Sequence, residues 1–221
     1  MLDGQERTLV DRVVREIFEL FLSGQLPLGG QVNEANLASR FSVSRGPIRE
    51  AVKQLQGRGL IVKEPYLKAR VVSLTLSDMI EVFQLRDAVE GTSVRLATSA
   101  MSDTALDEML GEFSDAHSSR GAVELDVHVR IAEGSGNARI RKLLCDELYH
   151  LLRLYRARSV DQPGRREDAF FEHWQILRAM RARDAELAES LMRSHIGRAT
   201  SSLQMLLAEQ NSQTQRSEGK G

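Results

Sequence analysis

Apolar residues recur at helical spacing through most of the chain, and the exceptions to that period mark its organisation. Leu9, Val13, Val14, Ile17, Phe18 and Phe21 predict a first amphipathic helix, ended by Ser23-Gly24. Pro27-Leu28-Gly29-Gly30 reads as a turn, and Asn33 caps a short helix over Glu34 to Phe41 that turns Leu37, Ala38 and Phe41 inward. A third helix starts near Ser44, which stands at the N-cap. Pro47 lies in its first turn, and Ile48, Val52, Leu55 and Leu60 form its apolar stripe. The period then changes. Ile61-Val62-Lys63 and Arg70-Val71-Val72 read as strands joined by a turn at Pro65 to Lys68. Thr75 or Ser77 caps a new helix, and from there the pattern is helical throughout. Six helices are predicted, at about 77–99, 103–117, 121–134, 137–158, 165–182 and 184–209.

The predicted fold is mainly α: an N-terminal winged helix-turn-helix over 1–74, then a six-helix antiparallel bundle over 75–210. Residues 211–221 are polar, carry no apolar period and read as a disordered tail. Helix, short turn, helix and β-hairpin is a DNA-binding arrangement. Arg45 and Arg49, four residues apart, share the face opposite the apolar stripe, where two planar donors suit guanine edges or phosphate. Lys53 extends the basic surface of that helix, and Lys63, Lys68 and Arg70 on the wing are placed to meet phosphates. A packed hairpin with solvated arginines, or a winged-helix protein-interaction module, is the plainer alternative.

Charge sharpens this picture. The net charge is −1, but residues 1–75 hold 11 Lys and Arg against 8 Asp and Glu, while the remainder holds 19 against 23. The basic excess falls where the DNA-binding pattern falls. No apolar run approaches 18 residues and no charged-then-apolar leader follows Met1, so a cytoplasmic protein with no membrane partner is expected. The single cysteine, Cys145, lies in an apolar helical stretch and reads as a core residue.

The helical half carries the remaining candidate chemistry. Of the five histidines, His117, His128, His150, His173 and His195, three could converge. Glu124 and His128 are four apart on one helix, and His173 and His195 lie on the two helices that close the bundle. Three imidazoles and a carboxylate suit one divalent transition metal per chain, of the zinc, nickel or manganese class. Taken on spacing alone, a histidine in a helix is more often a surface or core residue than a ligand. Arg86 and Glu90 form another four-residue pair, read either as a surface ion pair or as an inward arginine awaiting a carboxylate. A metal-dependent enzyme acting on a small carboxylate is the rival reading, with Glu133 or Glu172 as its acid or base.

The residues also carry a resemblance. Glu34-x-x-Leu37-Ala38, then Val43-Ser44-Arg45-x-Pro47-Ile48-Arg49-Glu50-Ala51, then Leu55 and Gly59-Leu60 resemble the GntR superfamily of bacterial transcription regulators. Arg86-x-x-x-Glu90, His128 with Ile131-Ala132-x-x-Ser135-Gly136-Asn137, Glu172-His173-x-x-Ile176 and Asp184-x-x-x-Ala188 before His195 resemble its FadR-type effector domain. Six helices rather than seven resemble the VanR subgroup. The resemblance spans residues 9–207. It implies a homodimer on palindromic operator DNA, not an enzyme, whose grip changes when a small organic acid enters the helical domain. It also implies a metal held by Glu124, His128, His173 and His195, effector contacts from Arg86 and Asn137, and DNA contacts from Ser44, Arg45, Pro47, Arg49, Lys53, Lys68 and Arg70. Two positions depart from the family: Glu124 stands where an aspartate is usual, and Lys68 where the wing often has glycine.

Overall fold

The computed structural model describes residues 8–64, 66–73, 75–119, 124–158 and 165–218, with side chains at all of these except 114–119, 124–126, 155–158, 165–166 and 209–218. Contacts divide the chain into two compact units. The first comprises 1–74 with 145–160, the second 75–144 with 161–221.

In the first unit, α1 (Leu9–Leu22) is capped by Thr8, whose side chain accepts from the Asp11 amide. Asn33 caps α2 (Glu34–Arg40) through the amides of Ala35 and Asn36, as its position in the sequence predicts. A turn with Ser42 in the left-handed region leads to α3 (Arg45–Gly57). Ser44 stands at the N-cap with extended backbone, but its hydroxyl makes no capping bond; the position is right and the expected hydrogen bond is absent. The wing is shorter than the pattern suggests, with β1 (Ile61–Val62) antiparallel to β2 (Arg70–Val71). A bridge from Gln31 to Arg70 and the Val32 N–H donated to Ala69 O extend it. The core joins Val13, Val14, Ile17, Phe18 and Phe21 to Ile48, Val52, Leu55, Leu60 and Val71.

Leu154, fully buried, belongs to that same core. The sequence places it in the helical half, on the fourth of six predicted helices. That helix is in fact three segments: α7 (Ala138–Arg141), a π-helical stretch (Lys142–Leu148) and α8 (Tyr149–Arg158). Its part from Cys145 onward packs with the first unit, so the range 75–210 does not form one compact body. Cys145 is buried, in keeping with a core role.

His150 is buried with its ring edge-on to Phe18, 5.2 Å between centroids. Burial, then the positive charges of Arg58 and Arg153, lower its pKa to about 3. The unfolded chain takes up a proton below its ordinary value near 6.5, whereas the folded chain does not until far lower. Stability from this residue is therefore complete above about pH 6.5 and is lost as pH falls from there toward 3. By pH 5 the loss should approach about 2 kcal/mol. Denaturant midpoints at pH 7.5 and 5.0 should show a smaller acid-induced drop in His150→Leu than in the parent chain.

The second unit opens with α4 (Leu76–Ala100), started by a reciprocal cap between Thr75 and Asp78. It continues through α5 (Asp103–Ser119), α6 (Glu124–Gly134), α7, α9 (Arg165–Arg181) and α10 (Ala185–Glu218). Helix α4 packs along α10 and against α6 and α9, and α5 packs on α9. Gly91 on α4 lets Arg193 of α10 lie close, because a Cβ there would fall 2.9 Å from Arg193 Nε. Arg193 then reaches Asp87 and Glu189. Helix α10 runs to Glu218, through most of the tail expected to be disordered. A lack of apolar period removes a packing face, but a helix already nucleated can extend through good helix formers such as Gln, Glu and Arg.

Candidate metal centre and nucleic-acid interface

Helices α6, α9 and α10 bring His128, His173 and His195 to one buried point. His173 Nε2 lies 2.9 Å from His128 Nε2 and 3.2 Å from His195 Nε2. Three nitrogens each about 2.0–2.1 Å from a single ion would stand roughly 2.9–3.4 Å apart. The two separations from His173 fall in that range, and the donor atoms of all three histidines lie within 4.8 Å of one another.

The other ring nitrogens explain why the lone pairs face inward. His128 Nδ1 is bonded to Glu90 Oε2, and His195 Nδ1 lies 2.6 Å from Glu172 Oε2. Each ring thus donates Nδ1–H to a carboxylate and leaves Nε2 as an acceptor, the tautomer a metal requires. Inward-facing acceptors at these separations repel one another unless a cation or a proton lies among them. Burial keeps His195 neutral by lowering its pKa to about 4, against the opposing pull of Glu172. Burial pushes the Glu90 carboxyl up, but Arg86 and His128 outweigh it and hold the group well below the usual carboxylate range.

Both carboxylates are held in turn by arginines. Arg86 Nε donates to Glu90 Oε1 at 2.5 Å, and Arg198 Nη1 to Glu172 Oε1 at 2.7 Å. The Arg86–Glu90 pair is therefore a buried link to His128 rather than a surface pair. Arg86 also lies over the Phe83 ring at 4.7 Å. Helical periodicity does not reveal Glu90 and Glu172 as histidine partners: in the sequence Glu90 stands out only as the mate of Arg86, and Glu172 only as a nominal acid or base. Glu124 begins α6, but its side chain lies outside the described residues, as does that of His117. Asn137 caps α7, its Oδ1 accepting from the amides of Arg139 and Ile140, so that oxygen serves the helix end.

In the first unit, Arg45, Arg49, Lys63 and Lys68 line one open cleft of about 390 Å³ between α3 and the wing. Arg49 lies 3.5 Å from Glu34, a partner the sequence reading did not anticipate. Lys53 is exposed and pairs loosely with Glu50 at 3.6 Å. Arg70 donates to Gly29 O at 2.9 Å, which ties its guanidinium to the turn before α2. Pro47 lies in the first turn of α3, beside the cleft-lining Arg45 and Arg49. Tyr66 at the wing tip is fully exposed and has a left-handed backbone.

A winged helix-turn-helix unit with a basic cleft, in one chain with an all-helical unit that carries a buried histidine cluster, has the make-up of a DNA-binding regulator. The chain belongs to the GntR family of bacterial regulatory proteins: its residues 9–66 match that family and residues 81–198 match the FCD domain. It is 31% identical over 201 residues to the "Probable D-xylose utilization operon transcriptional repressor" of Paenarthrobacter nicotinovorans, covering 86% of this chain and 87% of that one. It is 26% identical over 183 residues to the transcriptional repressor GlaR of Escherichia coli, covering 72% and 80%. The fold matches that of McbR/YncC of E. coli with a TM-score of 0.72 at 18% identity, covering 91% of this chain and all of the other. The family is one of transcription regulators, which sets aside the metalloenzyme reading. Among the described residues no helix is long and apolar enough to cross a membrane.

Proposed function

We propose that this regulator is a homodimeric repressor whose hold on a palindromic operator is set by a small carboxylate bound at a metal centre in the helical unit. The observation that supports this most is the convergence of His128, His173 and His195, with the His128 ring held by Glu90 and the His195 ring by Glu172. His128, His173 and His195 would hold the ion, and a metal in such a site supplies a positive centre that attracts a carboxylate. Glu124, at the start of α6, is the proposed fourth ligand. Arg86 adds positive charge beside the cluster while orienting Glu90, and Asn137 marks the α6–α7 turn as a further effector contact.

At the operator, Arg45 and Arg49 would enter the major groove from α3, with Ser44 and Pro47 setting the start of that helix. Lys53, Lys63, Lys68 and Arg70 would meet phosphates. Thermal unfolding of zinc-loaded and chelator-stripped protein against a panel of small organic acids tests the effector assignment. A stabilising acid should act only on the zinc-loaded form. Equal stabilisation of both forms would rule out a metal-held carboxylate.

A further inference from the structure

Ser93 on α4 is a buried polar residue that neither the fold nor the proposed metal explains. Its side chain is wholly buried, and its Oγ has no hydrogen-bond partner among the described residues. Hydroxyls within helices, exposed or buried, can bond back to the carbonyl four residues earlier. Thr92 and Thr98 on the same helix do so, as do Thr200, Ser201 and Ser202 on α10, at 2.7–3.1 Å. Ser93 does not, and an unsatisfied hydroxyl at such a position is costly, whereas alanine would fill nearly the same space without that cost.

Its place on the helix supplies a reason. Arg86, Glu90 and Ser93 are spaced i, i+4 and i+7, so Ser93 stands within about 20° of Arg86 around α4 and one turn beyond Glu90. Glu90 is the residue that holds His128. The hydroxyl therefore lies on the same helix stripe as the carboxylate that reaches His128, one turn past it. Among the described residues, Arg86 and Glu90 of that stripe are engaged with each other, while the Ser93 hydroxyl has no partner.

We propose that Ser93 is an effector-binding residue, and that the effector carries a hydroxyl or carbonyl oxygen in addition to its carboxylate. This rests on the carboxylate-effector reading above and narrows it to hydroxy or oxo acids. A site built to hydrogen-bond a ligand oxygen discriminates strongly against the analogue that lacks it.

The test compares zinc-loaded parent protein and Ser93→Ala against matched pairs of acids that differ by one hydroxyl: lactate with propionate, malate with succinate, and 3-hydroxybutyrate with butyrate. In the parent chain at least one hydroxy acid should bind at least about tenfold more tightly than its deoxy partner. Ser93→Ala should bind both members at the weaker level and, without any acid, should melt no lower than the parent. Equal binding of paired acids by the parent, a preference retained in Ser93→Ala, or a lower melting point of the ligand-free variant would each overturn the assignment. The last result would show the hydroxyl serving the fold. If no acid binds the parent at all, the carboxylate reading fails first and the Ser93 assignment falls with it.

Discussion

Replacing His173 by alanine is expected to remove the metal from the protein, lowering zinc affinity by ~100-fold or more, while leaving the first unit folded. His173 is the central member of the cluster, with its Nε2 2.9 Å from one neighbour's and 3.2 Å from the other's. Without it the remaining two imidazoles cannot complete a three-nitrogen face. Metal content after gel filtration should fall from about one ion per chain to none. Glu90→Gln should have a milder effect, about 10–100-fold in affinity, because it loosens the orientation of His128 without deleting a nitrogen. Equal metal content in the parent chain and His173→Ala would return the histidines to packing roles.

Arg49→Ala is expected to weaken operator binding by about 1–3 kcal/mol, with a loss of sequence preference if the guanidinium reads a base. If it meets only phosphate, binding should weaken evenly across sequences and the salt dependence should fall by roughly one charge. The structure adds a second arm. Glu34 lies 3.5 Å from Arg49 and faces the same cleft, so a phosphate or base must displace or share that partner. Glu34→Gln should therefore tighten operator binding modestly and only while Arg49 is present. A double-mutant cycle measured by fluorescence anisotropy at several salt concentrations separates these outcomes.

Much of this architecture was legible because helices with one buried face announce themselves by period. The stripe from Val13 to Phe21, the Asn33 cap and the Thr75–Asp78 cap all emerge where local chemistry places them. The π-helical stretch at 142–148 was not legible. Widening a helical turn leaves the apolar residues themselves unchanged, and nothing in Lys142 to Leu148 distinguishes a four-residue from a five-residue bond. Nor could the pattern reveal that Leu154 enters the first unit's core, since a buried leucine reads the same whichever body buries it.

The histidine cluster was legible only in part. Spacing allowed His128, His173 and His195 to converge and the family resemblance singled them out, but neither could set the distance between helices or the tautomers of the rings. Glu90 and Glu172 acquire their roles through contacts 38 and 23 residues away along the chain, which helical periodicity does not encode. Ser93 shows the same limit from the other side. A serine in an apolar stripe looks ordinary until the structure shows that its hydroxyl lacks the usual bond to the preceding turn.

The proposed control of DNA binding by the histidine centre is tested most directly by operator affinity in zinc-loaded protein, with and without the acid that most raises its melting temperature, alongside His173→Ala. The acid should weaken operator binding by the parent roughly 5–150-fold, corresponding to a coupling of about 1–3 kcal/mol. His173→Ala should bind the same DNA as tightly as the acid-free parent and should not respond to the acid. An acid effect of equal size in both proteins, or a stabilising acid that leaves operator affinity unchanged in the parent, would contradict control of DNA binding through the histidine centre.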